Sequence, residues 1–175
     1  KLAQEPNFLV RISAAEALGT CFSCLPEKEE GWQILLRLAQ DPNSFVRWRA
    51  ADALGSALAV QPDKEDGWKV LLDLAQDKDR TVRWGATFVL GSSFALLPNK
   101  KDGWKVLSGL AQDQESETRG IATFALGLSF DFLSDKEDGW QVLLGLAQDQ
   151  NSNVRMYAYH SLGRASIYRA SEARE

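Results

Sequence analysis

The sequence predicts an all-α solenoid of antiparallel helix pairs, and three observations carry that expectation. Gly-Trp recurs at Gly31-Trp32, Gly67-Trp68, Gly103-Trp104 and Gly139-Trp140, each pair 36 positions after the last. Leu-Ala-Gln keeps the same register from Leu2, Leu38, Leu74, Leu110 and Leu146, and an arginine does so at Arg11, Arg47, Arg83, Arg119 and Arg155. No stretch alternates with period two, so no strand is expected. A fixed period of this length marks stacked units that bury a continuous core only against their neighbours. The units fall at 1–26, 27–62, 63–98, 99–134 and 135–175, about 4.5–5 repeats read as a single array. Because the chain opens with Lys1 part-way through a repeat, it is expected to be a segment of a longer protein.

Residues 63–98 show why each element forms. Asp63 can cap free N–H groups, and Glu65 with Asp66 places negative charge in the first turn, where the helix dipole favours it. Asn99 with Asp102, and Asp135 with Asp138, repeat the arrangement. Trp68, Val70, Leu71, Leu72, Leu74 and Ala75 then cover most of this first helix, leaving Lys69 and Asp73 on a narrow polar strip. The turn Asp77-Lys78-Asp79 leads to a second helix, whose N-cap column reads Asn7, Asn43, Asp79, Glu115 and Asn151. Its packing stripe is Val82, Ala86, Val89, Leu90 and Ser93, small or apolar residues at helical spacing that let helices approach closely. Pro26, Pro62 and Pro98 are expected to stop the second helices.

These residues resemble the HEAT-repeat family, in particular its short variant known from phycobilisome lyases and many prokaryotic repeat proteins. The matching strings are Val46-Arg47, Ala50-Ala51 and Ala53-Leu54-Gly55, with Val10-Arg11, Ala14-Ala15 and Ala17-Leu18-Gly19 as close. The tetratricopeptide and ankyrin signatures are missing. The resemblance implies a right-handed superhelix that binds partners along a concave face lined by the second helices. It also implies that turn acids and helix arginines form an inter-repeat ladder, here Asp41, Asp77, Asp113 and Asp149 with Arg47, Arg83, Arg119 and Arg155. A bilin lyase or isomerase, or a nucleic-acid-binding protein, are the alternative functions that the same resemblance brings.

A net charge of -4 and a pI near 5.1 argue against a surface built to hold phosphates. With neither a long apolar run nor a leader, the sequence is read as cytoplasmic, with no membrane partner. Cys21 and Cys24 form a lone Cys-x-x-Cys, and the columns they share with Ala57 and Val60 make them ordinary packing positions. A structural zinc would need two more ligands. His160 shares its column with Glu16, Asp52, Phe88 and Phe124, a set without common acid–base character. No nucleophile elbow, phosphate loop or dinucleotide fingerprint occurs, so neither an enzyme, a cofactor nor a small-molecule substrate is expected.

Variation between repeats concentrates opposite the packing stripe. One such column reads Ile12, Trp48, Trp84, Gly120, Met156, and another Thr20, Ser56, Ser92, Leu128, Arg164. Trp48, Trp84, Phe88, Phe124, Leu128 and Met156 are therefore the expected partner-binding residues, because large apolar groups on a surface patch mark an interface. Glu16, Asp52, Arg49, Asp131 and Arg164 flank them, acidic in the first half and mixed in the second. A groove of about 35–40 Å along five second helices would suit a protein segment or a peptide.

Overall fold

The computed structural model describes residues 2–61 and 65–172. Among the described residues every regular element is a helix, and the chain forms two compact units, Lys1–Val89 and Leu90–Glu175. In chain order the helices are α1 (Phe8–Cys21), α2 (Lys28–Leu38), α3 (Ser44–Val60), α4 (Glu65–Leu74), α5 (Arg80–Ser92), α6 (Lys100–Leu110), α7 (Ser116–Ser129), α8 (Lys136–Leu146) and α9 (Ser152–Glu172). Even-numbered helices are the first helices of the repeats and odd-numbered ones the second. Asp63 and Pro62, expected as a cap and a stop, lie outside the described residues.

In the first unit the second helices α1 and α3 pack side by side, with α2 against both. The approach is close because Gly19 has no side chain: a Cβ there would lie 2.8 Å from the Cα of Ala53. Trp32 and Trp68, the tryptophans of the recurring dipeptide, are fully buried. Phe22 meets Trp32 edge-on, with ring centroids 6.2 Å apart, and the Trp32 indole N–H donates to Asp66 at 3.1 Å. The first-turn acid of α4 thus satisfies the polar atom of an aromatic ring that α2 drives into the core.

The second unit repeats the plan. There α7 and α9 lie side by side, and a Cβ on Gly127 would collide with Ser161. The Ser161 hydroxyl donates to the Thr123 carbonyl at 3.0 Å, so a buried polar atom is satisfied across the pair. Leu107, Leu126, Phe130, Leu143, Val154 and Ala158 fill the core.

Three sequence expectations need correcting. Two of the second helices stop well short of their prolines: α1 and α5 end at Cys21 and Ser92, and 3-10 turns Phe22–Cys24 and Phe94–Leu96 intervene, whereas α3 continues to Val60. These turns swing Phe22 and Phe94 inward, where each is 1% exposed. The same turn forms at Phe130–Phe132, where Ser134 replaces the proline, so the buried phenylalanine ends the helix and proline is dispensable. Second, Glu115 makes no capping hydrogen bond, whereas Asn7 and Asn43 accept from backbone N–H groups of α1 and α3. Third, Cys21 and Cys24 are exposed free thiols, not packing residues.

Candidate functional site

The aromatic columns do not share one environment. In the first unit Trp84 and Phe88, one turn apart on α5, are 44% and 41% exposed. Their rings stack with planes 6° apart and centroids 6.1 Å apart, forming one flat apolar plate. Trp48 on α3 is half-buried, correcting the expectation of an exposed anchor. The Arg49 guanidinium covers its ring at 4.1 Å, and its indole edge lies against Gly85, where a Cβ would collide with it. The Trp48 ring N–H is buried without a hydrogen-bond partner.

Arg49 also joins α1 to α3. Its guanidinium pairs with Glu16 at 3.0 Å and with Asp52 at 3.5 Å, all three side chains being partly exposed. Burial pushes the Asp52 carboxyl above the usual aspartate range and Glu16 adds to the shift, with Arg49 opposing it. Glu16, Gly19, Thr20, Arg49, Asp52, Ala53 and Ser56 line an open cleft of about 190 Å³. That is below the volume of usual small-molecule sites.

In the second unit Phe124 is half-buried between Tyr157, met edge-on at 5.9 Å, and His160, whose ring lies 25° from parallel at 6.0 Å. Leu128 is half-buried and Met156 is 55% exposed. Phe124 and Leu128 are thus supporting walls, and Met156 is the exposed group of the three. Sequence reasoning missed Tyr157: its column holds Ser13, Arg49, Gly85 and Ile121, and Arg49 and Tyr157 are the two whose reach covers an aromatic ring on the face.

The acid and arginine columns lie at the turns between helices. Arg47 Nη1 donates to the Asp41 and Pro42 carbonyls of its own repeat at 2.8 and 3.1 Å. Its Nε and Nη2 donate to both carboxylate oxygens of Asp77, in the next repeat, at 2.8 Å each. Arg11 with Asp41 and Arg119 with Asp149 have the same bidentate geometry. Arg83 and Arg155 bind the carbonyls of their own turns, Asp77 with Lys78 and Asp149 with Gln150. Each acid also folds its turn: Oδ1 of Asp41, Asp77, Asp113 and Asp149 accepts the N–H two residues on. For Asp149 the Arg119 guanidinium holds the carboxyl below the usual range. For Asp41 and Asp77 burial acts upward, and the arginine and amide bonds together outweigh it.

Among the described residues no group of three or more His, Cys, Asp or Glu is placed to hold a metal ion, and no helix is long and apolar enough to cross a membrane.

A family model of HEAT repeats matches residues 1–91. No protein of curated function matches. Among solved structures the chain is similar to an engineered protein, with TM-score 0.67 and 23% identity over 95% of this chain and 77% of that one. It is similar to Cex1p with TM-score 0.75 and 15% identity, over 98% of this chain but 35% of that one. The E. coli protein YibA gives TM-score 0.63 and 20% identity, over 99% of this chain and 62% of that one. At these identities the structural likenesses speak for the helical repeat fold alone. With the family model matching over half of its length, the chain belongs to the HEAT-repeat family.

Proposed function

We propose that this chain is a non-catalytic repeat scaffold that binds a protein or peptide partner through its second helices, and that it serves as a docking or sensor arm of a larger protein. The stacked and exposed Trp84–Phe88 plate carries this reading. Two rings held parallel on one helix lose little conformational freedom when covered, and aromatic groups of this kind dominate interface energetics. Met156 is the corresponding group of the second unit, with Phe124 and Leu128 as its flanks. The partner segment places apolar side chains on the plate and a basic group toward Glu16 and Asp52. The acidic balance of the chain weighs against a nucleic-acid partner.

The test is capture of partners by the chain beside a Trp84→Ala, Phe88→Ala variant whose helicity is confirmed by circular dichroism. The partner is expected to bind the variant at least about tenfold more weakly. Equal binding by both proteins would remove the plate from the site.

A further inference from the structure

Within the first unit the face of the second helices changes character from α1 to α5. Between α1 and α3 it carries the open cleft of about 190 Å³, and on α5 the aromatic plate of Trp84 and Phe88. The cleft is lined almost wholly by hydrogen-bond acceptors. Its one cation, Arg49, stands against two carboxylates, Glu16 and Asp52, which leaves one net negative charge. The guanidinium engages Oε1 of Glu16 and Oδ2 of Asp52, and its place over the Trp48 ring anchors it to the wall. Among the described residues the other oxygen of each carboxylate accepts no hydrogen bond. The neighbouring hydroxyls have already committed their hydrogens. Thr20 donates to the Glu16 carbonyl at 2.8 Å and Ser56 to the Asp52 carbonyl at 3.3 Å, so both oxygens have only lone pairs left to offer.

We infer that this cleft takes the ammonium of a lysine in an extended partner peptide, which runs on to lay an apolar side chain across the Trp84–Phe88 plate. The inference rests on the docking role proposed above and names the chemistry of its occupant. Charge complementarity sets the sign: a cation neutralises the cleft, whereas an acidic segment would meet two carboxylates. Donor inventory sets the type. An ammonium brings three donors and no acceptor to a wall of carboxylate and hydroxyl oxygens. A second guanidinium would need a planar fork facing a carboxylate, and Arg49 already takes that place on Glu16 and Asp52. The volume is small for a whole ligand and sufficient for the end of one side chain. With packed helices about 8–10 Å apart, cleft and plate lie about 12–15 Å from each other, a span of about four extended residues.

Selection on the chain from a phage-displayed library of random peptides, each about twelve residues long, tests this. Enriched peptides are expected to share a lysine about four residues from an aromatic or branched apolar residue. By calorimetry, a synthetic copy of the most enriched peptide is expected to bind at least about tenfold more tightly than its analogue with norleucine for that lysine, and the difference to shrink at high salt. A Glu16→Gln, Asp52→Asn variant of unchanged helicity is expected to bind the two peptides alike. An empty selection, arginine in place of lysine, or a norleucine analogue that binds as well as its parent would overturn the inference. The plate is judged separately. Lysine preference that survives in Trp84→Ala, Phe88→Ala with undiminished affinity would keep the ammonium in the cleft and remove the plate from the site.

Discussion

Trp32 shows how much one side chain contributes. Its ring is fully buried, its N–H is satisfied by Asp66, and Gly67 lies under its edge, where a Cβ would collide with it. Trp32→Ala is expected to destabilise the protein by about 3–5 kcal/mol, measured by urea unfolding. A change near zero would mean that the neighbours collapse into the space. Arg47 is the polar counterpart. Removing it leaves the Asp77 carboxylate partly buried without its guanidinium, so Arg47→Ala is expected to cost about 3 kcal/mol. Arg47→Lys should recover part of this, because one ammonium cannot make the bidentate contact. The turn aspartates also set a pH dependence. Asp41, Asp77 and Asp149 titrate below the usual range when folded, so their contribution is complete above about pH 4 and is lost as pH falls through their lowered values. Asp52 has the opposite sign: its raised carboxyl favours the folded state at low pH and less so as pH rises past the usual range. Acid titration of Asp77→Asn should show a shallower loss of stability than the parent; an unchanged profile would remove Asp77 as a source.

At the scale of the element, Glu115 is the weak cap. Its side chain makes no capping bond, whereas asparagine at the equivalent Asn7, Asn43 and Asn151 accepts from the N–H two residues on. Glu115→Asn is therefore expected to stabilise α7 by about 1 kcal/mol, read as a raised urea midpoint. A lowered midpoint would show that Glu115 has a role outside capping. The helices themselves were legible in the sequence because the 36-residue register superimposes five readings of the second helix and four of the first. The 3-10 turns were not. Phe22, Phe94 and Phe130 align at one period, but a phenylalanine continuing a helix and one leaving it look the same until a core exists to receive the ring. The site was half legible for a related reason. Trp84 and Phe88 lie exposed on the expected face, yet Trp48, on the same column as Trp84, is covered by its own neighbour Arg49. Helical phase says which way a residue points and is silent about which long side chain folds back over it.

For the whole molecule, family and fold were readable because repetition is a property of the string, while the partner is written in residues that differ between repeats. Those differences make a last expectation possible. Once a partner is known, Met156→Ala should weaken it less than Trp84→Ala does, since one flexible side chain offers less fixed area than a stacked ring. A larger loss at Met156, measured by calorimetry, would move the main contact to the second unit. The paired use of each turn aspartate has a genealogical side. Asp41, Asp77 and Asp149 each close their own turn and receive the arginine of the repeat before, so one residue serves both the turn and the junction. Recombination that adds or deletes a whole 36-residue unit rejoins a matching plug and socket, whereas a shift of a few residues breaks both. The protein's history is thereby biased toward counting in units, and its relatives should differ in the number of repeats more readily than in their length.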